Sequence, residues 1–293
     1  MSGAIHDLGY KRYLGTRRPP STRWRVIARH QIATAWKGWW RFKLALAIAV
    51  IVTVVAAMFI YVATNKTVTG MTRNHSLTFA DWALPVAISW CCRAAFIFSL
   101  TVSASVIAGD MQSGAFVFYF ARSTRPLDYL IGKLAGLGAL MGLLVFVFPV
   151  IVAGLRLGLV GSTDELIHHL DMVPKMMAVG ALATVAYTAI PLGFSAMVSN
   201  RRYALGLWAA YYLIFGTMAL GVGIASHSPI AALDIPQSII AIGNSLLGVD
   251  LGGKIEISTP AALVSILGQS AAAIMVVWWQ LANAQKAGVG GAT

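Results

Sequence analysis

Leu44–Thr64 reads LALAIAVIVTVVAAMFIYVAT, 21 residues without one charge. As a helix rising about 1.5 Å per residue it is roughly 30 Å long, the thickness of a bilayer's hydrocarbon core. Working outward, five more stretches share this character: about 82–108, interrupted by a single charge at Arg93, then 134–155, 176–199, 203–226 and 261–282. Pro149 and Pro191 fall inside the third and fourth, where a membrane helix tolerates a kink. The expected fold is therefore an all-α polytopic membrane protein with six transmembrane helices. Composition agrees. Of the 293 residues 58% are hydrophobic and 11% charged, with a mean hydropathy of +0.75. A soluble domain is about a quarter charged, so a soluble single-core enzyme is excluded. The first span is too long for the apolar region of a signal peptide, and 43 residues precede it. Two adjacent cysteines, Cys91 and Cys92, make no disulfide framework.

The charges set an orientation. The segment before span one, the link between spans two and three, the turn between spans four and five and the residues after span six together carry 16 Lys and Arg against three acids. The opposite side carries five basic residues and seven acids. The positive-inside rule then makes both termini cytoplasmic. Three regions are expected: a cytoplasmic basic lead-in over 1–43, a transmembrane domain over 44–285, and a cytoplasmic tail over 286–293. In the lead-in, Ser21 or Thr22 is placed to cap a helix over Thr22–Phe42. There Trp24, Ile27, Ile32, Trp36, Trp39 and Trp40 alternate with Arg23, Arg25, Arg29, Lys37 and Arg41. Trp interleaved with basic residues suits an amphipathic helix in the headgroup layer. The aromatic content and the adjoining span argue against a nucleic-acid patch.

The link between spans two and three is the most informative segment: DMQSGAFVFYFAR at 110–122, then STRPLDYLIGK at 123–133. Asp110 is suited to cap a short helix, and Gly114 loosens its start. The aromatic run Phe116, Phe118, Tyr119, Phe120 needs cover from water. Either the link rests on lipid as an interfacial helix, or it docks a soluble partner.

These residues resemble the first cytoplasmic loop of ATP-binding-cassette (ABC) permeases of the export class, in the NosY-like group. The lead-in Tyr10-Lys11-Arg12-Tyr13-Leu14-Gly15-Thr16-Arg17-Arg18-Pro19 is also similar to some of them. One departure is local: members often have Pro directly after the loop Arg, and this chain has Ser123 there with Pro126 three residues later. The resemblance implies a coupling helix seated in a separate soluble ABC ATPase, with Asp110, Gln112, Phe118, Tyr119, Arg122 and Arg125 facing it. It implies a second, smaller contact at Arg201 and Arg202, for which positive-inside anchoring is the alternative. It also implies two ATPase subunits carrying ATP and Mg, a second permease copy or homologue, a bacterial inner membrane, and short external helices before the last span that dip inward.

Several other features carry less. Gly248–Lys254 has P-loop spacing, but Ile255 stands where a Mg²⁺-binding Ser or Thr belongs, and the segment is on the external side. No cofactor site is expected in the chain itself, and it is not expected to be an enzyme. Arg93 is the one ionisable residue well inside a span; it either snorkels from the outer end or meets an anionic substrate or headgroup in the path. Cys91 and Cys92 have soft-metal chemistry available but suit plain packing. Asp164, Glu165, His168, His169 and Asp171 hold helical spacings that metal sites use, with an exposed polar helix as the plain alternative. Pairs Gly132/Gly136, Gly138/Gly142 and Gly154/Gly158 permit close helix approach. Asn65-Lys-Thr67 and Asn74-His-Ser76 match glycosylation sequons. Between Ser226 and Pro260, the apolar middle Ile235–Val249 is expected to be broken by Pro236 and Gly243.

The expectation is thus an ABC exporter's permease subunit. A structural or signalling membrane subunit coupled to an ATPase, moving no solute, is the alternative. A membrane-embedded enzyme is disfavoured, because the spans lack the acid, base and nucleophile sets such enzymes need.

Overall fold

The computed structural model describes residues 22–38, 40–64, 76–121, 124–159, 166–167, 169–249 and 257–290. Its helices are α1 (Arg23–Lys37), α2 (Arg41–Thr64), α3 (Ser76–Thr101), α4 (Val106–Gln112), α5 (Ala115–Ala121), α6 (Pro126–Gly158), α7 (Met172–Met197), α8 (Arg201–Ser226), α9 (Ile235–Leu247) and α10 (Thr259–Gly290). There is no strand among the described residues. Among the described residues, six helices are long and apolar enough to cross a membrane: α2, α3 with α4, α6, α7, α8 and α10. The protein is an all-α, multi-pass membrane protein. The lead-in before Thr22, both sequons, Asp164, Glu165, His168, Lys254, Arg122 and the side chain of Phe118 lie outside the described residues.

At the centre stands α7, packed against α6, α8, α9 and α10. Glycine permits two of these contacts. A Cβ on Gly193 would stand 2.7 Å from that of Ala273 on α10, and one on Gly180 would stand 2.8 Å from the Phe146 backbone on α6. Without water to drive association inside lipid, such close approach is what holds helices together. α6 is one rod with a single wide turn at Leu143–Val147, just before Pro149. Proline lacks the N–H that would pair with the carbonyl four residues back, and the wide turn accommodates that loss.

Several boundaries differ from the sequence expectation. The second span does not end at 108: after a short 3₁₀ turn it continues as α4 to Gln112. Asp110 sits inside α4 and caps nothing. The first amides of α4 are met from another helix, Ile107 and Ala108 each donating to Ser195 Oγ at 3.0 Å. The helix of the third span starts at Pro126, eight residues before the apolar run that begins at 134. Pro suits a first helical turn, and the charge of Lys133 is neutralised internally. The last helix runs past 286.

The bundle has two ends. One gathers α1, the α3–α6 link and the α7–α8 turn; it is called here the basic face. At the other, His227 ends α8 with φ 49°, in the left-handed region, a common way for a helix to stop. The chain then folds back along α8: a Cβ on Gly223 would collide with the Ala231 amide, and one on Gly216 would meet Asp234 Oδ2 at 3.2 Å. Gly216 and Ser226 are the two ends of one straight helical stretch. At the helical rise per residue they stand about 15 Å apart. The segment is therefore re-entrant. Asp234, counted with the external acids in the sequence, is 2% exposed. Its Oδ1 accepts the Gln237 amide at 2.9 Å and so caps α9. Neither Pro236 nor Gly243 breaks α9. Proline is at home in a first turn, and Gly243 lets the helix approach Ile88 and Val179.

Candidate functional site

The basic face is organised around one buried charge. Lys133, on α6, forms an ion pair with Asp110 Oδ2 of α4 at 2.9 Å, with side chains only 7% and 22% exposed. Lys133 Nζ also donates to Gln31 Oε1 of α1 at 3.2 Å. Tyr129, one turn before Lys133, donates its hydroxyl to the same Asp110 oxygen at 2.6 Å. The ammonium lies 5.3 Å from the centre of the Tyr129 ring. An ammonium this buried needs a counter-charge and further acceptors, and three helices supply them. Phe116 meets Tyr129 edge-on at 5.5 Å and Tyr119 packs on it at 5.4 Å, bringing α5 into the cluster. Burial, and next the Asp110 carboxylate, push the Tyr119 phenol above its ordinary value, since both disfavour the phenolate.

The α1–α6 contact explains one pair of glycines. A Cβ on Gly132 would lie 2.7 Å from Ile27 Cβ, and one on Gly136 would lie 2.9 Å from the Ala28 carbonyl. The face of α1 that packs is Ala28, Gln31 and Ala35, small or slender residues three to four apart. Trp36, 52% exposed, points away from it. Of the expected apolar set, Trp36 thus faces outward while Ile27 packs on Gly132, and the alanines give little hydrophobic signal of their own. The other glycine pairs behave differently: Gly138 and Gly142 make ordinary contact with Thr188 and Thr184, while Gly154 and Gly158 have nothing within 4 Å.

Gln112 Oε1 accepts the Arg201 amide at 3.4 Å, joining the link to the α7–α8 turn. Asn200 caps α8 through the Arg202 amide at 2.9 Å. The expected ATPase-facing residues therefore divide. Gln112, Arg125, Arg201 and Arg202 are exposed, with Val117 beside them on α5. Asp110 and half-buried Tyr119 are committed inside the chain. Between α1 and the link opens a polar cavity of about 440 Å³, lined by His30, Thr34, Asp110, Tyr119 and Lys133 among others. Tyr129 and Lys133 belong to the motif that the sequence singles out, as residues leading into span three and not as partners of Asp110, and Gln31 carries no such mark. The partners are far apart in sequence, and Lys133 gives a signal only as a cation in an otherwise apolar run, five residues after Asp128.

Arg93 is exposed on the outside of α3, with its guanidinium 4.4 Å from the centre of the Trp90 ring. It does not lie near the end of the bundle opposite the basic face. Phe98 meets Phe42, at the start of α2, at 5.3 Å. Arg93 precedes Phe98 by five residues, so it stands only about 7.5 Å in from that level. Sequence misjudges the depth because α3 and α4 together run well past the start of α2. Cys91 and Cys92 are both buried and unbridged. Asp171, of the His168 cluster, pairs with Lys175 at 2.6 Å, and that hydrogen bond holds its carboxyl below the ordinary value, because it favours the charged form.

No family model matches the chain, and no curated protein matches it.

Proposed function

We propose that the chain is the membrane permease subunit of an ABC transporter of the export class. Its basic face is cytoplasmic, in a bacterial inner membrane, and two soluble ATPase subunits bind there. A second copy, or a homologous permease, completes the substrate path. One observation carries this reading: the α4–α5 link is tied to α1 and α6 through Asp110, Lys133, Tyr129 and Gln31, and to the α7–α8 turn through Gln112. A push on the exposed side of the link is thereby delivered to three elements at once, as a coupling helix requires. The permease supplies a bundle with two packings, and ATP bound with Mg on the partners biases one of them. The excess of Lys and Arg on this face supports its cytoplasmic placement.

The test is affinity purification of the tagged full chain from its native membrane. A soluble ABC ATPase is expected to copurify, and to be lost in Val117→Glu/Arg125→Glu, whose substitutions lie on the exposed surface. Membrane insertion should be unaffected. Absence of any ATPase from the unmodified preparation, or its undiminished recovery with the double variant, would refute the assignment.

A further inference from the structure

Arg93 and the surface beside it define a second site. A helical side chain leans toward the N-terminus of its helix, and the guanidinium of Arg93 follows that rule by resting on Trp90, one turn back. On α3 this direction leads away from the basic face and deeper into the bundle's apolar belt. A snorkelling arginine would reach the other way, toward the nearer headgroups. Among the described residues no carboxylate pairs with Arg93. A cation held in the apolar belt is costly unless protein, water or an anion meets it.

Trp90 also forms the end of a groove of about 430 Å³ between α2 and α3. Its walls are apolar, with Ile51, Val55 and Phe59 on one side and Val86 on the other. Along α2 it extends from Ile48 to Phe59. That is about 16 Å of helix, the length of an extended chain of about a dozen carbons. The geometry thus joins a planar cation that no carboxylate meets among the described residues to a greasy slot that starts beside it and runs toward the opposite face.

We propose that this is a substrate site for an amphiphilic anion: a phosphate, sulfonate or carboxylate head on Arg93 and an unbranched apolar tail in the groove. Guanidinium binds such heads through paired N–H donors, and its contact with the Trp90 ring holds that fork at the end of the groove. The head lies toward the basic face, so the molecule is one drawn from that side with its tail pointing away. As a substrate site this deepens the permease reading and rests on it; as a binding site it stands on the geometry alone.

The experiment is native mass spectrometry of the full chain in a neutral detergent, titrated with dodecyl phosphate, ethyl phosphate and dodecyltrimethylammonium. Dodecyl phosphate is expected to bind at least about tenfold more tightly than either of the others, as a head and a tail contribution each worth about 1.4 kcal/mol or more would give. Arg93→Gln should abolish the preference for the anion over the cation while leaving tail binding. Val86→Trp should weaken both dodecyl compounds and leave ethyl phosphate unchanged. Unaltered anion preference in Arg93→Gln, or no dependence on chain length, overturns the proposal. So does spontaneous disulfide formation between two copies of a Val55→Cys chain, which would mean that a second subunit fills the groove. If binding follows this pattern but no ATPase copurifies, the permease reading fails and the amphiphile site stands.

Discussion

Removing Asp110 alone should be far costlier than removing Asp110 and Lys133 together. Lys133 keeps only 7% of its side-chain exposure, and its remaining contacts are the Gln31 oxygen and the face of Tyr129. Asp110→Asn therefore strands an ammonium, and breaking a buried pair from one side costs about 3–5 kcal/mol. Lys133→Met is milder, because Asp110 is 22% exposed and retains the Tyr129 hydroxyl. About 2 kcal/mol is expected there, in the range for a charged group losing one partner. With both substitutions no charge is left, and Tyr129 can still donate to the amide oxygen at position 110. The double variant should lose about 1–2 kcal/mol, since an apolar replacement of a whole buried pair is often near neutral. Equilibrium unfolding by SDS titration of the purified chain measures all four corners of the cycle. Additivity within about 0.5 kcal/mol, the behaviour of independent sites, would refute the claim that this pair keys the link to the bundle.

Three further expectations follow from the packing. Gly136→Val should displace α1, because the new side chain meets the Ala28 backbone at 2.9 Å. A loss of about 1–3 kcal/mol is usual for overpacking, and tryptic cleavage within α1 should be faster. Gly154→Val, which meets nothing within 4 Å, should do neither. Asp234→Asn keeps an oxygen for the Gln237 amide and should preserve α9, whereas Asp234→Ala leaves that amide unmet and should cost about 1–2 kcal/mol; equal stability of the two variants would show that the cap is unimportant. For orientation, an impermeant thiol reagent applied outside intact cells should label His227→Cys and spare Arg201→Cys. Both positions are exposed, at opposite ends of α8, so the reverse pattern would invert the topology.

The re-entrant segment has a consequence for the bundle's energetics. In lipid, irregular backbone survives only where protein covers it and its polar groups find partners. Ala231 is pressed on Gly223, and Gln269 of α10 donates to the Leu233 carbonyl at 3.4 Å while accepting the Tyr211 hydroxyl at 2.6 Å. Ser238 Oγ donates to the Ala232 carbonyl at 2.7 Å. The turn is thus satisfied from α8, α9 and α10 together, and any motion of α8 against α10 must remake these bonds.

Six spans, the helical class and the asymmetry of charge were all legible in the sequence, because each depends on local composition. A charge-free run as long as Leu44–Thr64 must be helical in lipid whatever packs on it. The motif at 110–133 was legible as a place, but its roles were not. Asp110 reads as a cap or an outward contact, and in the fold it neutralises Lys133. Periodicity assigns α1 its tryptophan face, yet the helix is seated by Ile27 against Gly132 and by Ala28 and Gln31 against Gly136, because the glycines leave room for the α1 backbone. The depth of Asp234 and the inward lean of Arg93 were equally hidden, because hydropathy measures how apolar a run is and not where its neighbours stop. What only the tertiary structure decided is which polar groups meet: Gln31 with Lys133, and Ser195 with the first amides of α4, are pairs 102 and 87–88 residues apart. In lipid an unmet polar group has no water to fall back on, so those distant meetings determine which parts of the bundle must move together.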